Sequence, residues 1–374
     1  NAMKETSGYA SFTPWQKKRY KFIFLLDKII RRFSSTGNPI FHSYNLFKSP
    51  LVDVINDIDP DIVHLHWLGC NTIGIRDLRR IKAKQIVWTL HDCWAVDGSA
   101  HYPDLLNLGF KKGPRFWVSQ AVSNYVKKLK HKTYQQVDNL TFVTPSKWLK
   151  HYMEERLDNN QNVLFLPNAL DLEVFRPVDM YSARKELNLS TDRKIVLFGA
   201  QNTSSLIKGA GILPDILKNL QNLYKNRSDK PLLVTFGSKN KEQFTERHPD
   251  YAGFDVYELG FIHDLDTMAR AYSAADLFIA PSVIDNAPQT VTESLACGTP
   301  VITFDTGGAK EYLTKGLSGT AVASYHAKQF ADTMKKYLEC EKQPAKIAQS
   351  VTYIDNPHVA KQHQELYENL LSNA

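Results

Sequence analysis

Short, largely apolar runs recur along the chain: Asp59–Trp67, Ile86–Leu90, Thr141–Thr144, Val163–Leu166, Lys194–Phe198, Pro231–Gly237, Leu277–Ala280 and Val301–Phe304. Most are rich in aliphatic or β-branched side chains, and several end at Gly, Pro or Asp. Continuous rather than alternating runs predict strands buried on both faces, as in parallel sheets. Stretches of mixed apolar and polar residues separate them and predict helices, among them residues 51–58, 269–276, 326–340 and 358–371. Alternating strands and helices over 374 residues imply an α/β fold in two domains. The segment from Val163 through Pro167-Asn168 to Phe175-Arg176-Pro177 closes the first.

Residues 276 to 312 concentrate the chemistry. Leu277–Ala280 ends at Pro281-Ser282, and a helix is expected with Asp285 or Asn286 as its N-cap, Pro288 near its first position, and Gly298-Thr-Pro300 at its end. Val301–Phe304 then leads through Gly307-Gly308 into a second, short helix at Ala309–Leu313. In a parallel sheet both strands end on one edge, so free amides and two positive helix ends converge there, which suits a diphosphate. Glu293, eight residues after Asp285 and about two turns inside the helix, can accept the two hydroxyls of a ribose. A nucleotide diphosphate carrying a sugar is therefore the expected ligand.

Two further positions fit such a site. Lys208-Gly209 follows the strand 194–198 at an expected helix start, where a lysine reaches a phosphate as a mobile point charge. His91 follows the strand 86–90, at the sheet end where open α/β folds bind ligands, although a histidine there can also simply cap the strand. His64 and His66 share one face of the first strand, and packing or substrate contact fits them better than metal binding, because no third ligand lies nearby.

The spacing Asp285-x7-Glu293, the run Glu293-Ser-Leu-Ala-Cys-Gly-Thr-Pro-Val301 and the following Thr306-Gly307-Gly308 resemble the donor site of glycosyltransferase family 4, retaining enzymes of the GT-B fold. Thr89-Leu-His91-Asp92 with Gly98-Ser-Ala-His101-Tyr102 resembles the subgroup that builds bacterial exopolysaccharides of the colanic-acid type, with Ala100 where that subgroup carries a cysteine. The resemblance covers roughly residues 59 to 370. It implies two Rossmann-like domains facing across a cleft: an acceptor domain over residues 1–172, to which a helix at 358–374 crosses back, and a donor domain over 173–357. The family's first strand and Gly-rich loop have no counterpart before residue 50, so the first domain is expected to lack them.

The resemblance also implies roles. Glu293 would hold the ribose, while Lys208 and the amides near Gln289, Thr290 and Gly308 would stabilise the departing diphosphate. Asp285 would contact donor-sugar hydroxyls, His91 would position the donor from the first domain, and Gly260 and Phe261 would flank the base. Ala287, Pro288 and Gly307 line the same donor site. Lys208 matches the lysine of the family's Arg-x5-Lys pair, whereas the arginine position falls on Asn202. No cofactor or metal is expected, since Lys208 and fixed dipoles take a cation's place.

Composition narrows the classes. Residues 1–170 hold 24 Lys and Arg against 14 Asp and Glu, the remainder 22 against 25, so the first half is the basic one. Its helix-like stretch Trp15–Phe33 carries seven basic residues among bulky apolar ones, and can pack on its own domain while resting on an anionic membrane leaflet. Lys127 to Lys132 reads as solvated surface. Four scattered cysteines suit reduced thiols, no apolar run is long enough to span a membrane, and Asn1-Ala2-Met3 reads as a tag remnant, so the expected place is the cytoplasm or the inner membrane face. No G-x-G-x-x-G follows a strand, which disfavours a dinucleotide oxidoreductase, and no nucleic-acid motif accompanies the basic excess. The expected function is transfer of a sugar from a nucleotide diphosphate sugar to a hydroxyl of a glycan or lipid-linked glycan in surface polysaccharide synthesis, such as capsule or lipopolysaccharide. The alternative is a degenerate relative that binds nucleotide sugar or scaffolds assembly without turnover.

Overall fold

The structure, a computed structural model, describes residues 13–34, 40–103, 114–158, 161–199, 205–237 and 253–373. The chain divides into two compact units, one of residues 1–166 with 362–374 and the other of residues 167–361.

The first unit is built on a parallel sheet of β1 (Ile62–Leu65), β2 (Gln85–Thr89), β3 (Leu140–Thr144) and β4 (Asn162–Phe165), in that spatial order. Strand residues alternate between two buried faces. Trp88 and Phe142 pack with Trp94, Tyr134 and Leu149 on one. Val87 and Val143 are covered on the other by Leu366, from the helix Asn356–Ser372. Among the described residues no strand precedes β1; helices Pro14–Ser34 and Leu51–Ile58 do, with one bridge between His42 and Ala100. The Pro14–Ser34 helix buries Ile23 and Asp27 and leaves Trp15, Phe22, Leu25 and Ile29 exposed. Burial pushes the Asp27 carboxyl up, partly offset by Arg31, whose Nε lies 3.1 Å away.

The second unit holds a parallel sheet of β5 (Ile195–Gly199), β6 (Leu232–Phe236), β7 (Val256–Glu258), β8 (Leu277–Ala280), β9 (Val301–Phe304) and β10 (Gly319–Val322), ordered β10-β9-β8-β5-β6-β7. From β5 the chain runs outward through β6 and β7, then returns to the other side of β5 as β8. The strand order therefore reverses between β5 and β8, where neighbouring crossovers leave in opposite directions and open a crevice at the strands' C-terminal ends. The two edge strands are the ones that the apolar pattern does not announce. β7 is three residues long and not buried, and β10 has only Val322 and Gly319 buried.

The opposite end of this sheet is closed by charge. Asp276, just before β8, accepts the Ile195 amide at 2.7 Å and pairs with buried Arg184 at 2.7 Å. Lys342 donates to the carbonyls of Ser273 (2.8 Å) and Ala275 (2.6 Å), and burial pulls its pKa down to about 8.

Candidate active site

At the strand-order reversal, Lys208 and Asp285 meet: the lysine Nζ donates to Asp285 Oδ2, from loops that follow β5 and β8 respectively. Lys208 is not at a helix start as expected; it lies in a run of turns, and the next helix opens at Leu213. Its side chain is about two-fifths exposed, whereas the Asp285 side chain is nearly buried. The aspartate thus holds a charge whose other side is open to solvent. Asn202 lies outside the described residues.

The helix after β8 starts later than its sequence suggests. Its N-cap is Pro288, with no side-chain cap, and it spans Gln289–Ala296. Asp285 lies three residues before the cap position, with its Oδ2 turned to Lys208, and Pro288 fixes its own φ at −68°, suited to a helix entrance. The first amides, at Gln289 and Thr290, therefore have no side-chain acceptor at the helix entrance. The helix ends as expected, Gly298 adopting a positive φ of 78°.

The β9 strand pairs with β8 in parallel, so its C-terminal end reaches the same edge. There the Gly308 amide donates to the Asp285 carbonyl at 2.9 Å, and Gly307 has a φ of 67°. A Cβ at Gly307 would sit 2.0 Å from that carbonyl oxygen, so only glycine lets the two loops touch. This contact ties the turn before the 3-10 helix Ala309–Tyr312 to the residue that holds Lys208.

Because its helix starts at Gln289, Glu293 lies little more than one turn inside, not two. Its Oε2 accepts the Tyr272 hydroxyl at 2.8 Å. Burial pushes its carboxyl pKa up, and the Tyr272 hydrogen bond opposes that rise. One oxygen is therefore held while the other remains available. Ala287 packs half-buried on the core. Gly260 and Phe261 follow β7, with the Gly260 carbonyl accepting the Gly237 amide at 2.8 Å, and the Phe261 ring stands edge-on to His263.

In the first unit the polar groups at the same sheet edge are imidazoles. His91, two residues beyond β2, has its Nε2 3.1 Å from His66 Nδ1, and His66 stacks on His64 with ring centroids 4.5 Å apart. His64 bridges two elements, with Nε2 2.7 Å from Thr89 Oγ1 and Nδ1 2.6 Å from the Tyr367 hydroxyl. Burial and mutual repulsion pull the His64 pKa down to about 4; burial lowers His66, His91 and His363 as well. The file is therefore uncharged near neutrality. Among the described residues no three His, Cys, Asp or Glu side chains are grouped to hold a metal ion.

Behind His91, His101 Nδ1 is 2.6 Å from Asp92 Oδ2 and its Nε2 is 2.8 Å from Ser43 Oγ. The order serine, histidine, aspartate is that of a hydrolase triad. Ser43 is wholly buried and its Oγ accepts the Cys70 amide at 3.1 Å, so no substrate carbonyl can approach. The trio instead fastens the 91–102 loop. Lys130 fastens it too, donating to the Trp94, Asp97 (3.0 Å) and Gly98 (2.6 Å) carbonyls. The expectation of solvated lysines at 127–132 thus fails at Lys130, which is fully buried because three carbonyls match its three N–H donors. Sequence gives no sign of Lys130, Lys342, Tyr272 or Tyr367 in these roles, since all of them make contacts remote in sequence.

Residues 182–352 match the family described as Glycosyl transferases group 1, and residues 11–174 match Glycosyltransferase Family 4. The chain belongs to glycosyltransferase family 4. Among curated relatives, D-inositol 3-phosphate glycosyltransferase 1 of Catenulispora acidiphila is 26% identical over 46% of this chain and 42% of its own length. The chain thus spans less than half of that relative. It spans 87% of the N,N'-diacetylbacillosaminyl-diphospho-undecaprenol alpha-1,3-N-acetylgalactosaminyltransferase of Campylobacter jejuni, which is 24% identical over 93% of this chain. A solved structure, Anabaena Alr3699/HepE in complex with UDP, matches with a TM-score of 0.61 at 17% identity, over 87% of this chain and 82% of the other. Its likeness supports the two-domain GT-B fold that the family shares.

Proposed function

We propose that this glycosyltransferase moves a sugar from a nucleotide diphosphate sugar to a hydroxyl of a bacterial surface-glycan precursor, with retention at the anomeric carbon and without a metal. The observation that carries the reading is the meeting, at the strand-order reversal of the second unit, of the Lys208–Asp285 pair, the uncapped Gln289 helix start and the Gly307-Gly308 turn. The UDP held by Alr3699/HepE and the undecaprenol-linked substrate in the Campylobacter relative's name support the donor and acceptor classes.

In this reading Lys208 turns its ammonium to the diphosphate, which the amides of Gln289 and Thr290 also face, and these fixed positive groups stabilise the charge that grows as the anomeric carbon–phosphate oxygen bond breaks. The Gly308 amide, expected at the phosphates, instead donates to the Asp285 carbonyl and holds the loop. Asp285, relieved of part of its partner's charge, accepts hydrogen bonds from donor-sugar hydroxyls. Glu293, steadied by Tyr272, accepts the ribose hydroxyls, and Gly260 and Phe261 flank the base. The acceptor oxygen bonds to the anomeric carbon from the face the phosphate leaves, and its proton passes to the departing phosphate oxygen. His91, uncharged, offers the donor a hydrogen bond without repelling or trapping the phosphates.

The Pro14–Ser34 helix supports a second part of the reading, contact with an anionic membrane. No helix among the described residues is long and apolar enough to cross one. This helix nevertheless exposes Trp15, Phe22, Leu25 and Ile29 beside Lys17, Lys18, Lys21 and Lys28, a composition suited to lying in the interface, where each Lys or Arg contributes about 1 kcal/mol.

The test is to incubate the chain with uridine, guanosine, adenosine and thymidine diphosphate sugars in the presence of a chelator and to follow the released sugar by proton NMR. An α-linked donor giving α product first, with no loss in chelator, is expected. Product of inverted configuration, or turnover only with added divalent cation, overturns the corresponding part. Sedimentation with phosphatidylglycerol vesicles, abolished by Trp15→Ser with Phe22→Ser, tests the membrane contact.

A further inference from the structure

Trp67 directly follows His66, beyond the C-terminal end of β1, and 44% of it is open to solvent. The ring is nevertheless fixed. It lies flat against the backbone of Gly69, where an added Cβ would come within 2.2 Å of a ring carbon. The Phe41 ring stands 6.0 Å away at 40° and the His101 ring 5.6 Å away at 36°, while the indole N–H is aimed at the His101 edge, 3.3 Å from Nδ1. An exposed aromatic ring whose rotamer is already locked loses little entropy on binding, which favours a ligand with an apolar face of matching size.

The surroundings narrow what that ligand is. His66 and His91 at the same sheet edge are paired with each other and held uncharged by burial. Arg31, over the Phe41 ring at 5.2 Å, is already paired with buried Asp27. Neither these imidazoles nor Arg31 therefore offers a phosphate group an unpaired charge, whereas hydroxyl groups find imidazole donors and acceptors. An apolar ring face with a rim of neutral hydroxyls describes a pyranose.

We propose that Trp67 is a stacking platform for a pyranose ring of the acceptor glycan, held at the ligand edge of the first unit's sheet. This rests on the reading of the chain as a transferase that uses a glycan acceptor, and it adds where and by which chemistry the acceptor is gripped. The platform is the indole face turned away from Gly69, and His66 supplies a hydrogen bond to the sugar rim.

The experiment uses the full chain with 15N-labelled tryptophan, the Trp67 indole signal being assigned from Trp67→Phe. Methyl pyranosides of glucose, galactose, N-acetylglucosamine and N-acetylgalactosamine are titrated in turn, and phosphatidylglycerol vesicles separately. A saturable shift of the Trp67 signal with at least one glycoside is expected, weakened several-fold in Gly69→Ala, which displaces the ring without removing it. No Trp67 shift with any glycoside overturns the proposal, as does a shift with vesicles alone, which would make the ring a lipid contact. Calorimetric titration of the same sample with UDP keeps the two readings apart: UDP binding with an unmoved Trp67 signal removes the platform and leaves the transferase reading standing.

Discussion

Both sheets carry their chemistry at the C-terminal edge, but in opposite electrical form. In the second unit the edge is ionic: Lys208 against Asp285, Glu293 held by Tyr272, and a helix start without a side-chain cap. In the first unit it is a file of neutral imidazoles, His64, His66 and His91, whose protonation burial opposes. A diphosphate needs positive groups that do not have to reorganise, whereas a polyol needs donors and acceptors without net charge. On the proposed reading, the same α/β edge serves two ligand chemistries through side-chain choice.

The contrast predicts unequal costs. Removing a fixed positive group from a departing diphosphate costs on the order of 10²–10³ in turnover, so Lys208→Ala is expected to lower donor turnover by that much. His91→Ala, which deletes a neutral hydrogen bond, should cost about 10-fold. Equal losses in steady-state assays of the two variants would erase the distinction between the edges.

The next largest effect concerns stability. Lys130→Met leaves three carbonyls without their donor, and each buried group left unpaired costs about 1–3 kcal/mol, so urea unfolding should show a loss of several kcal/mol. An unchanged midpoint would mean that the 91–102 loop does not depend on this lysine.

Acid separates the units further. His64 has a folded pKa of about 4, below the ordinary 6.5, so the unfolded chain binds the extra proton first. The His64 contribution is therefore fully present above pH 6.5 and is lost as pH falls from about 6.5 towards 4. The melting temperature of the first unit's transition should drop across that window, and His64→Asn should flatten the drop. A drop of the same size in His64→Asn would point to another group.

The smallest effect expected is at Tyr272. Its hydroxyl holds the Glu293 pKa down against burial, so Tyr272→Phe raises that pKa further. Loss of one such hydrogen bond is worth about 1 kcal/mol, and nucleotide binding should weaken roughly 5-fold, more at low pH where the carboxylate is protonated. Binding that improves as pH falls would contradict a ribose-accepting carboxylate.

The strands that form the cores were readable because parallel sheets bury both faces, and continuous runs such as Leu277–Ala280 and Val301–Phe304 follow directly from that. The edge strands β7 and β10 were not, because an edge needs neither length nor unbroken hydrophobicity. In the site, Asp285, Glu293 and Gly307-Gly308 were legible from one local stretch. The Lys208–Asp285 pairing spans 77 residues, and the Tyr367 contact to His64 spans 303. No local pattern encodes such contacts. Helix depth follows the same limit: Asp285 has the side chain of an N-cap, but in the structure its carboxylate meets Lys208 and the helix begins at Gln289.

The central claim is that the ionic edge of the second unit binds a nucleoside diphosphate. The most direct measurement is calorimetric titration of the chain and of Glu293→Ala with UDP, GDP, ADP and dTDP. Saturable binding of at least one, weakened at least about 10-fold in Glu293→Ala as expected for a lost charged hydrogen bond, is the predicted result. No binding of any of the four, or equal affinity in both proteins, would contradict it.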